Sequence, residues 1–436
     1  MVRVRTVLAA FVMSSLGIAM AAPAAHAAGS AAPVELTLDQ ALALARKRNR
    51  SLFVERARLA QAQTNIESAW ASLFPTITAQ GKYTHNDHAA TLPFQGMVFT
   101  LQKLDQLDGN VSATVPLLVP AAYPALEAVK SNVHAAEANF DVSEDQVLFS
   151  VAQTFYAAGI ADEVLIARRS SVDVARVTLE NARTRKEAGT VTKVDVDRAE
   201  LALVRAEQQE REAITGRDQT YRALATLIQA ETPFHVSIPP QAVPYRVDDQ
   251  SLNMALHLRP EFRAYEESAR SADSQRRAYF WKWSPSLSAF GNARRFNYQS
   301  FTQKDYAWAV GLQLDWVIFD GGTRDANRHL AAAQAEEAMA RTEVLRDSIS
   351  DDLVNGSRSL ETKQKALETA ERSVTLANET LELVRTQYEA GSVTQVDLLQ
   401  AQDSLVAVQE SLAQAHYDVA IADLTLRRAV GTFPGK

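Results

Sequence analysis

The chain has 436 residues, a formal net charge of -7 and no cysteine. This composition excludes disulfides, metal-thiolate sites and lipid attachment to a cysteine, and the sequence has no basic block of the kind that binds nucleic acid. With 16 glycines and 14 prolines, the sequence predicts long uninterrupted helices.

Residues 1–27 have the pattern of an export signal peptide. Arg3 and Arg5 precede an apolar run from Val7 to Met20, and residues 25–27 form a small-residue cleavage pattern. We therefore expect cleavage after Ala27 and a mature protein outside the cytoplasm. No later run of about 18 apolar residues predicts a membrane-spanning helix, so membrane insertion is expected through β-strands.

The first half of the mature chain, residues 28–232, is predicted to be mainly helical with one inserted strand pair. Thr37 and Gln40 have the spacing of a capping box at the first helix start. The predicted elements, in order, are a helix over 37–73, strands over 76–84 and 110–117 separated by a loop over 85–107, a helix over 121–188, a turn at Gly189 and a helix over 194–229.

The second half, residues 251–436, repeats this order after a proline-containing linker over 233–250. A helix is predicted over 251–283, strands over 285–297 and 306–319, a long helix that ends at Gly391, and a final helix. The long helix of each half has nearly 70 residues and would be about 100 Å long. No compact globular domain needs helices of that length.

One stretch of sequence occurs twice. Arg183–Asp195 recurs as Arg385–Asp397, and aligning Gly189 with Gly391 sets an offset of 202 residues (391 − 189). Both copies contain Glu-Ala-Gly-x-Val-Thr-x-Val-Asp. The offset exceeds the periods of solenoids and propellers, so it predicts a duplication of a domain-sized unit.

The helices on both sides of each repeated glycine have a heptad pattern, in which apolar residues recur at alternating steps of three and four. Each glycine is therefore predicted to be the tip of a helical hairpin whose arms pack on each other. The seam positions are Val374, Ala377, Leu381, Val384, Tyr388, Leu398, Ala401, Leu405, Val408, Leu412 and Ala415 in the second half, and Val172, Ala175, Leu179, Ala182, Ala199, Leu203 and Ala206 in the first.

The four predicted strands are too few to close a barrel in one chain, yet open strand edges are not tolerated in hydrocarbon. Several chains are therefore expected to share one barrel, and strands of about 10 residues suit a tilted membrane span. Tyr83, Trp308 and Trp316 are candidate membrane-interface aromatics. The alternatives are ordinary core packing for these aromatics and a small soluble β-domain for the strands.

Several sequence features follow the same order along the chain. The glycine motif occurs in both halves, as do the proline helix ends at Phe74-Pro75 and Ser284-Pro285. The second half also contains the turn Phe319–Gly322. This arrangement resembles the TolC family of outer-membrane efflux proteins across essentially the whole mature chain. The resemblance implies a mainly α protein in the outer membrane, with coiled-coil helices forming a periplasmic tunnel and a homotrimer sharing a 12-stranded barrel. It also implies a periplasmic adaptor protein and an inner-membrane transporter as partners.

The resemblance further implies that the hairpin tips form a gate, closed at rest, at the periplasmic entrance. Asp397 matches an aperture-lining aspartate, and Gln400 replaces a second one. Tyr388 and Asp195 match a pair that links neighbouring hairpins, and Val393 replaces the arginine that assists them. Thr192 belongs to the same gate region, and the expected adaptor-contact residues are Gly189, Thr190, Val191, Gly391, Ser392 and Val393.

Simpler roles are open at the same positions. Asp195 and Asp397 each follow a threonine, Thr192 or Thr394, by three residues, which is the spacing of a helix N-cap. A capping role at Asp397 is compatible with a gate role. Tyr388 occupies a seam position, where packing alone predicts an apolar ring.

We expect the protein to have no catalytic function, because the sequence has no nucleotide-binding loop, metalloprotease motif or nucleophile motif. His85 and His88 lie close together and are interpreted as solvated loop residues rather than as metal ligands. The expected function is passive export through an outer-membrane channel-tunnel. The alternative is a periplasmic coiled-coil adaptor or scaffold, which would contain one helical hairpin between β-rich domains.

Overall fold

The computed structural model describes residues 34–94, 97–230, 233–238, 245–248, 250–297 and 304–433. Its helices are α1 Leu38–Arg48, α2 Arg50–Ala71, α3 Ala122–Glu187, α4 Lys193–Ile228, α5 Ser251–Leu258, α6 Pro260–Trp281, α7 Thr323–Glu389 and α8 Gln395–Val430. Its strands are β1 Val34–Leu36, β2 Thr76–His85, β3 Ala90–Phe94, β4 Met97–Gln102, β5 Asp105–Leu118, β6 Phe234–Val236, β7 Ser286–Phe296 and β8 Tyr306–Asp315.

Each half contains one long helical hairpin. The 66 residues of α3 pack against the 36 residues of α4, and the 67 residues of α7 pack against the 36 residues of α8. The predicted seams are confirmed, because Leu179, Ala182 and Ala199 are buried together in the first hairpin, and Tyr388, Leu398 and Ala401 are buried in the second. The small alanine side chains let the helix axes approach closely.

The largest buried core lies midway along the long helices rather than at their tips. Phe155 of α3 and Leu224 of α4 are fully buried there, together with Leu42 of α1 and Leu424 of α8. The parallel strands β1 and β6 pack against this core. Since α3 also contacts α6 and α8, this region joins the two halves into one body.

Each half contributes two strands to one antiparallel sheet, with strand order β2-β5-β7-β8. Side chains alternate between its two faces along each strand. On the face that we call the polar face, Gln80, Asn110 and Arg294 are cross-strand neighbours. The opposite face, which we call the apolar face, carries exposed side chains from all four strands: Ile77, Tyr83, Leu107, Val111, Ala293, Trp308, Val310, Leu312 and Leu314.

Two predicted helices are broken, so the predictions of single helices over 37–73 and 251–283 were wrong. The first break is at Asn49, whose side chain accepts hydrogen bonds from the backbone of Ser51 and Leu52 and donates to the carbonyl of Leu227 at 2.8 Å. The second is at Arg259, where the following Pro260 disfavours a helical backbone. The capping box of Thr37 and Gln40 is confirmed.

The stretch over 85–107 was predicted to be a loop. This prediction was wrong, because the stretch contains the hairpin of β3 and β4. The adjoining strand β5 begins at Asp105 rather than at residue 110. This longer strand was not predicted because Asp108 and Gly109 have low strand propensity. The side chains over 105–114 nevertheless alternate between the two faces of the sheet. The strand β2 is one residue longer than predicted, and β7 is one residue shorter at each end. The short strands β1 and β6 were not predicted.

The strand β8 ends at Asp315, four residues before its predicted end at Phe319. The residues that follow are apolar but exposed, and the indole of Trp316 donates to the carbonyl of Trp283 at 3.2 Å instead of continuing a strand ladder. The segment over 233–250, which was interpreted as a linker, contains the strand β6. The predicted export signal over 1–27 lies outside the described residues.

Within the described ranges, no helix combines the length and the apolar character needed to cross a membrane.

Candidate functional site at the hairpin tips

The two hairpin tips have the same backbone geometry. Gly189 and Gly391 adopt left-handed conformations, with φ of +73° and +75°. The amide of Thr190 donates to the carbonyl of Arg185, and the amide of Ser392 donates to that of Gln387, both at 2.9 Å. In each bond, the amide of the residue after the glycine donates to the carbonyl of the fourth residue before the glycine. This is the pattern of the Schellman motif that ends a helix. Glycine is required because other residues adopt this conformation at a cost.

Each tip is followed by a capping box that starts the returning helix. Asp195 Oδ2 accepts hydrogen bonds from the amide and hydroxyl of Thr192 at 2.9 and 2.7 Å. Asp397 Oδ2 accepts the equivalent bonds from Thr394 at 2.8 and 2.6 Å. The capping interpretation of both aspartates is therefore confirmed.

The capping bonds also set the electrostatics of the tips. Hydrogen bonds from the side chain and backbone of Thr192 lower the pKa of Asp195 below its ordinary value, and those from Thr394 do the same for Asp397. Both carboxylates are consequently charged at neutral pH. They lie at helix N-termini, where the helix dipole also favours a negative charge.

An arginine of the first hairpin binds the tyrosine of the second. The guanidinium carbon of Arg185 lies 4.6 Å from the ring centroid of Tyr388, which is buried. Arg185 Nη1 also donates to the backbone carbonyl of Tyr388 at 3.3 Å. The contact joins α3 to α7 close to both tips, so it links the hairpins where the sequence predicted a link through Asp195.

Asp195 is not brought to Tyr388. Among the described residues, its carboxylate bonds with Thr192 and forms an ion pair with Arg198 Nη1 at 3.7 Å. Val393 is half-buried, whereas Asp397 and Gln400 are exposed. The adaptor-contact candidates are at the solvent-facing ends of the hairpins, where Gly189, Thr190, Gly391 and Ser392 are exposed and Val191 is half-buried.

A groove of about 790 Å³ separates the two hairpins behind the tips. Polar bonds cross between the hairpins along it. Arg168 of α3 pairs with Glu410 of α8 at 2.6 Å (Nε to Oε1), and Gln402 donates to the hydroxyl of Thr178 at 3.2 Å. Its lining includes Ser171, Ala175, Arg198, Arg205, Gln400 and Asp403.

The residues that join the hairpins, Arg185 and Arg168 above all, were missed by sequence reasoning. For Arg185 a signal was available. Within the repeated stretch, Arg185 aligns with Gln387 and Lys186 aligns with Tyr388, so both partners of the observed contact occur where the two copies differ. Positions at which a duplication has diverged are the ones at which the halves can bind each other instead of performing the same task.

The three candidate interface aromatics lie at the sheet. Tyr83, Trp308 and Trp316 are 65%, 69% and 60% exposed, so the alternative of core packing was wrong for all three. The hydroxyl of Tyr83 donates to Asp105 Oδ1 at 2.7 Å.

The two histidines considered as metal ligands have different partners. His85 Nδ1 lies 2.7 Å from Asp105 Oδ1, and His88 Nδ1 lies 2.8 Å from Asp87 Oδ1. No cluster with the composition of a metal site was found in the part of the chain that the structure describes.

Comparison with known proteins identifies the chain's relatives. The model of the outer membrane efflux protein family matches residues 41–230 and 251–432. Nodulation protein T of Rhizobium leguminosarum bv. trifolii is 24% identical over 391 residues, which cover 87% of this chain and 81% of that protein. The outer membrane efflux protein BepC of Brucella suis biovar 1 is 23% identical over 408 residues, covering 91% and 85% of the two chains.

A solved structure has a similar fold. The crystal structure of the outer membrane protein VceC from Vibrio cholerae superposes with a TM-score of 0.76 at 19% sequence identity, covering 90% of this chain and 96% of that one. The two matched ranges of the family model correspond to the two halves of the fold, each containing one hairpin tip.

Proposed function

The chain belongs to the outer membrane efflux protein family, and we propose that it is the passive conduit of a three-part export system. It is an outer-membrane efflux channel by membership of this family. We infer that substrates reach it from a periplasmic adaptor and an inner-membrane transporter and leave to the cell exterior. One observation carries the proposal: the chain combines two long helical hairpins with one sheet that has a polar and an apolar face. One arm of each hairpin is about 100 Å long.

We propose a homotrimer because the sheet has free edges. In the described residues, β2 and β8 each pair on one side only. Unpaired backbone groups are not tolerated in the hydrocarbon of a membrane, and closure by further copies removes them. Three copies would supply twelve strands, with the apolar face towards lipid and the polar face towards the lumen.

At the tips, we propose a gate that partners open. The link between Arg185 and Tyr388 would hold the hairpins of one protomer together, while Asp397 and Gln400 would line the aperture. The tips, residues 189–191 and 391–393, would meet the adaptor. Thr192 and Asp195 would support the gate indirectly, by starting α4 at the correct place.

The protein is proposed to have no energy source and no catalytic activity of its own. A helix-lined tunnel can conduct without chemistry, and its family consists of transport proteins. One relative, from Salmonella typhimurium, is named a probable outer membrane lipoprotein. This sequence has no cysteine, so we propose that it is held in the membrane by its strands. The intact mass of the mature protein tests for any attached lipid.

A pair of neighbouring substitutions on β8 tests the proposal. Val310 is on the apolar face and 72% exposed, whereas Ala309 is on the polar face. An arginine on the lipid-facing side of a barrel costs about 2–4 kcal/mol near the membrane midplane. We therefore expect Val310→Arg to lower the amount of heat-modifiable trimer in outer-membrane fractions, and Ala309→Arg to leave it close to the unsubstituted level.

The same fractions distinguish the alternative function. A channel requires detergent for extraction, whereas a periplasmic adaptor or scaffold would be released by washing with salt. Release of the unsubstituted protein by salt, or equal tolerance of both arginine variants, would overturn the membrane-channel proposal.

A further inference from the structure

A row of four residues crosses the apolar face near one end of the sheet. Gly81 of β2 pairs with Gly109 of β5, Gly109 pairs with Arg295 of β7, and Arg295 pairs with Tyr306 of β8. Gly81 and Gly109 have no side chains, so the backbone of β2 and β5 is uncovered at these two positions, whereas Arg295 and Tyr306 carry side chains in the same row. The result is a groove of about 560 Å³ on the apolar face, within the range of about 300–1,000 Å³ that is common for ligand sites.

Packing within this chain does not require either glycine. A Cβ added to Gly81 would meet no atom within 4 Å, and one added to Gly109 would meet only the carbonyl oxygen of Arg295 at 3.8 Å. Neither glycine is among the described glycines with positive φ. Glycine weakens a strand and often marks a bulge, a bend at a barrel corner, or a place where a ligand or another backbone approaches closely. The strand pairing has no register shift at Gly81 or Gly109, so neither glycine marks a bulge. The open space therefore points to an occupant from outside the chain.

Arg295 and Tyr306 make one end of the groove cationic and aromatic. The side chain of Arg295 is 82% exposed and pairs with Asp305 at 3.4 Å. Two lysines lie near this end but outside the lining: Lys304 Nζ is 5.4 Å from the ring centroid of Tyr306, and Lys103 Nζ donates to the backbone carbonyl of Asn297, which follows β7, at 3.0 Å. The nearby acids are Asp305 and Asp105, the second of which is already bonded to Tyr83 and His85.

The floor of the groove has the opposite character. Ala79, Val111 and Ala293 extend it from the two glycines towards the middle of the sheet. An apolar trough with cations at one end is complementary to an acyl chain that carries an anionic headgroup. Arginine is well suited to such a headgroup, because its guanidinium binds phosphate through two parallel hydrogen bonds.

The position in the sheet selects the lipid. The cationic end of the groove is next to the hairpin of β3 and β4, at the opposite end of the sheet from α2, α3, α6 and α7. If the helices extend into the periplasm, as in the proposed function, this end is in the outer leaflet, which in the outer membrane consists of phosphorylated glycolipid. We propose that this groove binds an acyl chain and a phosphate of the outer-leaflet glycolipid. The inference rests on the proposed function.

Binding of lipid A to the purified full-length trimer, measured by native mass spectrometry, tests the inference. Arg295→Gln removes the cation, and Gly81→Leu fills the groove. Their controls, Lys82→Gln and Thr84→Leu, lie on the polar face of β2 and outside the lining of the groove. We expect each test variant to weaken binding about tenfold, the effect of losing about 1.4 kcal/mol, and each control to bind as the unsubstituted trimer does.

Several outcomes would overturn the inference. Equal losses in Arg295→Gln and Lys82→Gln would mean non-specific attraction to positive charge. Equal binding of phosphatidylglycerol and lipid A would assign the groove to a phospholipid. Unchanged lipid binding together with a lower yield of trimer in Gly81→Leu would assign it to a neighbouring copy of the chain. Only trimers recovered from outer-membrane fractions are compared, so a failure here is distinct from a failure of the channel proposal.

Discussion

The guanidinium of Arg185 stacks on the ring of Tyr388 at 4.6 Å, and the two residues come from different helical hairpins. The duplicated halves are therefore bound to each other beside the tips by residues in which the copies differ. The expected arginine at position 393 is a valine, but Arg185 brings a guanidinium to the same tyrosine from the other half. This contact connects the tip geometry to the proposed gate.

Arg185→Ala is expected to raise resting conductance in planar bilayers and antibiotic sensitivity in cells. A cation–π contact of this kind contributes about 1 kcal/mol, which corresponds to about a fivefold shift between closed and open tips. Arg183→Ala is the matched control. Arg183 lies on the same helix and, among the described residues, forms an ion pair across its own hairpin with Glu200 at 3.9 Å.

Two results would contradict this expectation. If Arg185→Ala and Arg183→Ala have equal conductance, the contact does not hold the tips. If the unsubstituted protein alone already passes large steady currents, the gate is not closed at rest. The contact between Arg185 and Tyr388 would then have a structural role only.

Tyr388→Phe separates the ring of Tyr388 from its hydroxyl. The ring contact with Arg185 is retained in this variant, so we expect much less leak than in Tyr388→Ala. Combined with Asp195→Ala, it tests the hydroxyl-to-carboxylate link that the family resemblance implies. Because Asp195 is bonded within its own cap, we expect Tyr388→Phe to change conductance little in the unsubstituted protein and in Asp195→Ala. A leak that Tyr388→Phe adds to the unsubstituted protein but not to Asp195→Ala would support the direct link in another state of the gate.

Much of the fold was predictable because it depends on local patterns. The heptad seams, the glycine tips and the capping boxes each involve residues within one or two turns of one another, and the structure confirms them. The break at Asn49 was not predictable from its neighbours, since it depends on a bond to Leu227, which is distant in sequence. The contact of Arg185 with Tyr388 likewise requires knowing how two hairpins pack.

The capping boxes predict a pH dependence at the tips. Hydrogen bonding lowers the pKa of Asp195 below its ordinary 3.8 in the folded state. The cap therefore contributes its full stability above that value and loses it as pH falls through the lower folded pKa. Since the chain has no cysteine, Lys193→Cys introduces one unique site for a spin label at the start of α4.

We expect the label to become more mobile as the pH falls below about 4. Adding Thr192→Ala should raise its mobility already at pH 7, since loss of such a cap costs about 1 kcal/mol. The control, Thr375→Ala, removes a hydroxyl that donates within the middle of α7. Mobility that is independent of both pH and Thr192 would show that the cap does not order the tip.

Two glycines in different hairpins, Gly216 and Gly431, predict opposite effects of alanine on stability. Gly431 ends α8 with φ of +88°, and an added Cβ would lie 2.6 Å from Leu258 Cβ and 3.1 Å from its carbonyl carbon. Gly216 lies within α4, and an added Cβ there would meet no atom within 4 Å. The surrounding packing therefore forbids a side chain at the first position and permits one at the second.

Gly431→Ala is expected to lower the free energy of unfolding by more than about 1 kcal/mol, because the left-handed backbone and the clash with Leu258 both disfavour alanine. Gly216→Ala is expected to raise it by up to about 1 kcal/mol per chain, the difference in helix propensity between the two residues. Thermal dissociation and unfolding of the two variants, compared at one protein concentration, checks both signs. Stabilisation by Gly431→Ala would show that the junction of α8 with α5 is looser than the observed contact requires.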